Sequence, residues 1–299
     1  MTEANEILKR GNARKEKLEK SQFKQQALPS WRPNPTFLTT LVTFIIFGAI
    51  FLSLGFLLWF WGNRISEFEI TYHDKCKGQV APHTCKLNFE LDEKVKSPIF
   101  VYYQVNNLYQ NHRRYVRSRN DLQLRGDSIS VNDLTDCHPI LKNSDLDRTH
   151  SFSGRLLDPD APAWPCGLIA QSFFNDTFEL RNLDVSHDFD INPNNIAWNT
   201  DVDYMFKNGP GNWEQYQWMD VEDERFITWM RVAGMTNFRK PYGIIHEDLP
   251  KGKYELEIEN NYPVSSFSGE KKFFYSTTNS YGGRNRFLAV CYLVVGGLC

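Results

Sequence analysis

The sequence is short of every common catalytic signature. It has no G-x-x-x-x-G-K-[ST] phosphate loop, no G-x-G-x-x-G turn, no H-E-x-x-H and no C-x-x-C, and no serine stands in G-x-S-x-G. Asp188-x-Asp190-x-Asn192 begins like a calcium loop, but Pro193 takes the glycine position and Asn199 stands where a bidentate glutamate belongs, which excludes that site. An excess of one charge is lacking too. Its 34 Lys and Arg stand against 36 Asp and Glu, a formal net charge of −2, so a nucleic-acid partner is not expected. There is no internal repeat and no low-complexity run. Cysteine is sparse, six in 299 residues, and long apolar runs are confined to two places.

The first of these is residues 36–61, TFLTTLVTFIIFGAIFLSLGFLLWFW, with no charge and no proline. A helix needs roughly 20 apolar residues to cross the hydrocarbon core, and this run is long enough to cross with some tilt. Trp59 and Trp61 close one end and Trp31 precedes the other, where indole rings favour the headgroup level. A core helix of this length would carry a polar stripe, and a cleaved signal has a shorter apolar region nearer the N-terminus. A membrane-spanning helix is the reading.

Residues 1–35 are polar and basic, with Lys9, Arg10, Arg14, Lys15, Lys17, Lys20, Lys24 and Arg32 against Glu3, Glu6, Glu16 and Glu19. The composition predicts a largely disordered tail. Its basic excess beside the span predicts a cytosolic N-terminus, which puts residues 62–286 in the lumen or outside the cell. Contact of the tail with anionic membrane lipids is a second role for the same charges, though setting orientation is enough to explain them.

Beyond the span, 22 Phe, 13 Tyr and 8 Trp in the whole chain are enough to fill a sizeable core. Residues 68–72 (FEITY), 86–91 (KLNFEL), 99–105 (IFVYYQV), 254–258 (YELEI) and 272–277 (KFFYST) read as strands, rich in β-branched and aromatic residues. Residues 108–119 read as a short helix, 121–155 and 181–220 as polar loop, and 226–232 as an apolar element of open type. The expected fold is a mainly β membrane protein: a large antiparallel β-sandwich-like domain with helical and loop insertions, held by one complete transmembrane helix and a second, truncated one. That second run, residues 287–299 (FLAVCYLVVGGLC), has about 13 residues, too few to span as a helix. It reads as the start of a second span whose remainder is missing, with Cys291 and Cys299 unpaired; a buried C-terminal strand is the alternative.

Cys76, Cys85, Cys137 and Cys166 lie on the side assigned to the lumen, an oxidising compartment, and allow three pairings. Sequential pairing closes the shortest loops. A zinc site from His73, Cys76, His83 and Cys85 is the rival, but its spacing matches no standard pair of ligand doublets. Asn175-Asp176-Thr177 is a glycosylation acceptor in that compartment, so an N-linked glycan is expected and no other cofactor. His112, Arg113 and Arg114, flanked by Tyr109 and Tyr115, form the most enzyme-like cluster, suited to phosphate; a structural network of salt bridges and ring stacking is the preferred reading. The carboxylates at Asp158 and Asp160, Asp201 and Asp203, and Glu222 to Glu224 sit in polar loops and read as solvated.

Several blocks resemble the CDC50/LEM3 family: FKQQ (residues 23–26) with Leu28, Trp31 and Pro33, YYQVNNLYQNHRRYVRSR (102–119), PCGLIAQSFFNDTF (165–178) and IAWNTD (196–201). FITWMRVAG with FRK-x-YG (226–243), LPKGKYELEIENNYPV (249–264) and GGRNRFLAVCYLVVGGLC (282–299) continue them in family order. The resemblance implies two spans, cytosolic termini and a glycosylated luminal domain with disulfides Cys76–Cys85 and Cys137–Cys166 and a glycan on Asn175. It implies a non-catalytic accessory β-subunit of a P4-type ATPase, a phospholipid flippase, in a heterodimer in which Trp31, Pro33, Tyr109, His112, Arg113, Arg114 and Tyr115 are structural or partner-contact candidates. The chain itself lacks the D-K-T-G-T phosphorylation motif of P-type ATPases. The other reading is a membrane-anchored receptor or ectoenzyme that binds a phosphate-bearing ligand at His112 to Arg114.

Overall fold

The computed structural model describes residues 2–30, 34–76, 84–278 and 282–299. They form two compact units, Met1–Leu57 with Phe287–Cys299, and Leu58–Arg286.

The tail departs from the disorder its polarity predicts, because α1 runs from Thr2 to Glu19. Its Ala, Glu, Lys, Leu and Arg are all strong helix formers, and Lys20 just past its end pairs with Glu16 at 2.6 Å in i,i+4 spacing. The apolar run becomes α2, Phe37–Gly62. Its 26 residues cover about 39 Å at 1.5 Å each, long and apolar enough to cross a membrane. Only Gly48 and Gly55 are buried along it.

The second unit begins with β1 (Glu67–Thr71), β2 (Thr84–Leu91) and β3 (Ile99–Val105). Next come two short helices, α3 (Arg113–Arg117) and α4 (Asp121–Leu124), and a long irregular stretch with three 3₁₀ turns. It continues with α5 (Leu168–Gln171), β4 (Thr177–Asn182), β5 (His187–Phe189), α6 (Asn199–Tyr204) and α7 (Glu224–Met230), and closes with β6 (Phe238–Ile245), β7 (Gly252–Glu259) and β8 (Lys271–Thr277). The strands make two four-stranded sheets, in order β1-β8-β3-β6 and β2-β7-β4-β5, with every pairing antiparallel. Residues alternate between core and surface, most regularly along β3, as a pleated strand requires. Rings from both sheets meet between them: Phe68 of β1 stacks on Phe89 of β2 at 4.4 Å, and Phe178 of β4 meets Phe273 of β8 edge-on at 5.2 Å. The mainly β, antiparallel two-sheet reading therefore matches the unit.

Two local readings need correction, and an element left open is settled. The helix expected over residues 108–119 shrinks to α3, because tertiary bonds hold its flanks in other conformations. Asn107 is left-handed at φ 63°, Gln110 accepts from the Ala233 N–H at 2.9 Å, and Asn111 donates to the Gly234 carbonyl at 2.9 Å. The segment 181–220 is not all loop, since it holds the end of β4, β5 and α6. The open element near residue 226 is α7, capped by Asp223, which accepts from the Arg225 N–H at 2.9 Å.

The chain ends in α8, Arg286–Leu298, a short apolar helix rather than a strand. Within the first unit it packs on α2 through glycine. A Cβ built on Gly48 would meet the Gly296 carbonyl at 3.0 Å, and one on Gly55 would meet Leu293 at 2.8 Å. Phe51 and Tyr292 lie 5.9 Å apart on the same seam. Small residues let two helix backbones approach closely.

Candidate functional site

Cys76 pairs with Cys85 and Cys137 with Cys166, so both thiols of the zinc alternative are consumed. Its His83 lies outside the described residues, as do Trp31 and Pro33. Among the described residues no group of three His, Cys, Asp or Glu could hold a metal ion. Cys291 and Cys299 are free thiols.

The Cys137–Cys166 bridge anchors the segment that carries the basic cluster. Ser118, at the end of α3, donates to the Cys137 carbonyl at 3.0 Å and accepts from the Leu168 N–H at 2.8 Å. Gly167 adopts φ +97°, and a Cβ there would strike the Ser118 backbone, so only glycine lets the two segments touch. Gln123 of α4 spans the same seam, donating to the Ala163 carbonyl at 2.8 Å and accepting from the Cys166 N–H at 2.9 Å.

On this scaffold the cluster faces outward. His112, Arg113 and Arg114 are all exposed, and among the described residues none makes an ion pair or side-chain hydrogen bond. The structural-network reading of these three is therefore overturned. The phosphate-site reading is unsupported as well, because none of them lines a cavity described here. Tyr115 differs: its hydroxyl lies 2.7 Å from that of Ser172, and its ring packs on the core. Tyr109 is 60% exposed. The same surface continues along residues 231–235. Asn111 bonds Gly234, Met235 is 77% exposed, and Arg231 sits 5.7 Å over the ring of Trp198, itself 72% exposed.

The polar loops hide two carboxylates with structural work. Asp201 is buried and takes a bidentate bond from Arg231, at 2.7 and 2.6 Å. Glu224 accepts three backbone N–H groups, from Asn195, Ile196 and Ala197. Together they fix the loop that presents Trp198. Asp201 is buried and Glu224 half-buried, each tied up in hydrogen bonds, contrary to the solvated expectation for those runs. Lys240 of β6 is buried behind them. Its ammonium donates to the carbonyls of Thr228, Trp229 and Arg231 at the end of α7, and burial pulls its pKa down to about 7.

Asn175 is at the surface, while Asp176 beside it is buried. Asp176 pairs with Lys271 at 2.6 Å, both side chains at most 1% exposed. It also accepts from the Tyr72 hydroxyl at 2.6 Å and from the N–H groups of Asn261 and Tyr262 at 2.7 and 2.6 Å. Four donors fill its lone pairs. Lys271 donates in addition to the Asn260 side chain and the Tyr262 carbonyl, each at 2.6 Å. Burial pulls its pKa down and the Asp176 charge pulls it back up. This pair escapes sequence reading: Asp176 is hidden inside a sequon, and Lys271 looks like an ordinary polar strand residue.

Residues 58–299 match the model of the LEM3 (ligand-effect modulator 3) family / CDC50 family. Cell cycle control protein 50A of Bos taurus is 37% identical over 330 residues, covering 96% of this chain and 87% of that protein. ALA-interacting subunit 3 of Arabidopsis thaliana is 36% identical over 304 residues, covering 93% and 82%. Cell cycle control protein 50B of Homo sapiens is 32% identical over 324 residues, covering 93% and 89%. The chain belongs to the LEM3/CDC50 family.

Proposed function

We propose that this chain is a non-catalytic accessory subunit of a P4-type ATPase, required for the partner's exit from the endoplasmic reticulum, its stability, and movement of phospholipid from the luminal or outer leaflet to the cytosolic one. Family membership carries the reading, together with relatives named as ALA-interacting subunits. The ATPase supplies the nucleotide site, the phosphorylated aspartate and the lipid path. This chain supplies surface: α2 beside the partner's spans, the β-rich unit over its luminal loops, and the basic tail near anionic lipid.

Tyr109, His112, Arg113 and Arg114 are proposed as partner contacts with Trp198 and Arg231. All but His112 are exposed Trp, Tyr and Arg side chains, the types enriched where binding energy concentrates, and they sit on segments that disulfide and buried polar bonds hold rigid. We place the N-terminus in the cytosol, the β-rich unit in the lumen of the endoplasmic reticulum, Golgi or endosomes or outside the cell, and an N-linked glycan on Asn175. A subunit that binds only the folded ATPase stabilises it by mass action. It favours one step of the transport cycle to the extent that it binds that state more tightly.

The test is co-expression of the chain with a P4-type ATPase, followed by tag purification, export assay and lipid-dependent ATPase activity. Co-elution is expected, with export and activity lost when the chain is omitted and co-elution weakened by the triple variant Tyr109→Ala, Arg113→Ala, Arg114→Ala. Unchanged export and activity without the chain would reject the accessory role.

A further inference from the structure

One end of the first sheet is tied by the chain to both apolar helices. β1 starts at Glu67, shortly after α2 ends at Gly62, and its antiparallel neighbour β8 finishes at Thr277, shortly before α8 starts at Arg286. An extended chain covers at most about 3.6 Å per residue, which keeps Glu67 within about 18 Å of Gly62 and Arg284 within about 7 Å of Arg286. Arg286 opens an apolar helix, and a charge in that position stays at the headgroup level. This placement rests on α2 and α8 entering the bilayer, and not on the accessory role.

On the outer face of that end lies an open pocket of about 410 Å³, lined in part by Glu67, Tyr102, Arg239, Phe274, Thr278 and Arg284. Its floor is aromatic, with the rings of Tyr102 and Phe274 5.9 Å apart. Phe274 is only 6% exposed, because the Arg239 guanidinium covers it at 3.7 Å from the ring centroid. Arg239 is held there by donating to Gln104 at 2.8 Å and to Glu69 at 3.4 Å. A guanidinium has five N–H donors, so most of them stay free for a ligand. Arg284 makes no ion pair among the described residues and lines the same pocket.

The charges around the pocket do not balance. Lys272 leans on Glu69 as well, at 3.5 Å. Burial pushes the Glu67 pKa up, and the charges of Arg239 and Arg286 pull it back. Arg239, Lys272, Arg284 and Arg286 thus face Glu67 and Glu69, an excess of positive charge. At the headgroup level the abundant anion is the lipid phosphodiester, whose oxygens match the guanidinium fork. The apolar floor suits the glycerol carbons beside it.

We propose that this pocket binds the phosphodiester of a membrane phospholipid on Arg239 and Arg284, with the glycerol carbons against Tyr102 and Phe274.

Native mass spectrometry of the full chain, stripped of lipid in detergent, tests this without any ATPase. The probes are phosphatidylcholine, phosphatidylserine, a diacylglycerol with the same acyl chains, and soluble glycerophosphocholine. The first phospholipid of either headgroup is expected to bind more tightly than the diacylglycerol. Arg284→Gln, which breaks no ion pair, should weaken that first site roughly tenfold. Arg64→Gln, a charge just beyond α2 but outside the lining, should leave it unchanged. Equal affinity in the wild type and Arg284→Gln overturns the proposal, as does a diacylglycerol that binds as tightly as phospholipid. Displacement of bound lipid by glycerophosphocholine as readily as by phospholipid would mark a soluble phosphate ester as the ligand and overturn the membrane source. Arg284→Gln that weakens only co-elution with a P4-type ATPase, with lipid affinity intact, would mark a protein contact instead and overturn it too. Failure on the lipid probes leaves the accessory role standing.

Discussion

Asp176 and Lys271 share one buried charge pair, and removing either partner strands the other. Breaking a buried pair this way costs about 3–5 kcal/mol. Lys271→Met is therefore expected to lower the melting temperature of the β-rich unit sharply, measured by tryptophan fluorescence in detergent. A shift no larger than that of a surface Lys→Met control would show the pair to be unimportant. Lys240 makes a pH-dependent contribution of definite sign. Its folded pKa is pulled down to about 7, while an unfolded lysine titrates near 10.4. Between these values the unfolded chain holds a proton that the folded one lacks, so Lys240 favours folding increasingly as pH rises through that window. That contribution is lost as pH falls through about 7. Melting of the wild type and of Lys240→Met from pH 6 to 10 should show the wild type gaining on the variant toward high pH. A constant gap would refute this.

At the scale of elements, the α2–α8 seam is the sharpest geometric claim. A Cβ on Gly48 would stand 3.2 Å from the Cβ of Cys299, within disulfide reach. Gly48→Cys, with Cys291→Ser, is expected to cross-link to Cys299 on mild oxidation, seen as two proteolytic fragments that stay joined until reduced. Gly296→Val should block the cross-link, since its side chain would press on the Leu52 backbone, 2.8 Å away from a Cβ there. The elements that could be read from sequence were those whose own residues carry the signal: β3 by its aromatic and β-branched run, α2 by length and apolarity. Those that could not were set by distant partners. β6 contains Pro241 and looks broken, yet it is an edge strand with a register shift opposite Val101 and Tyr102, where proline is tolerated. α7 is buried on nearly all sides, so it shows no helical period. The exposed cluster at His112 to Arg114 could be picked out by residue type, but not the direction it faces, because that depends on contacts of Ser118, Gly167 and Gly234 far along the chain.

For the whole molecule, the proposed topology makes a direct prediction. Protein made in cells should lose the mass of one glycan on treatment with an N-glycosidase. Asn175→Gln should remove the shift altogether, and protease added outside sealed microsomes should spare residues 62–286. A glycosidase-insensitive chain, or digestion of that unit from the cytosolic side, would invert the topology. Asn175→Gln should leave the Asp176–Lys271 pair intact, so its effect on stability should be smaller than that of Lys271→Met.

The burial of Asp176 also sets a clock. An enzyme that reads Asn-x-Thr must hold all three residues in an open strand, yet in the finished fold the middle one is sealed and the Thr177 hydroxyl is tied to Glu259 at 2.9 Å. Lys271, which completes the seal, is 95 residues downstream. At about 5–20 residues per second of synthesis, the ribosome delivers it roughly 5–20 s after Asp176. The sugar transfer proposed for Asn175 thus belongs to the growing polypeptide: in a chain that misses that interval Asn175 still faces solvent, but the sealed Asp176 beside it keeps the tripeptide from opening.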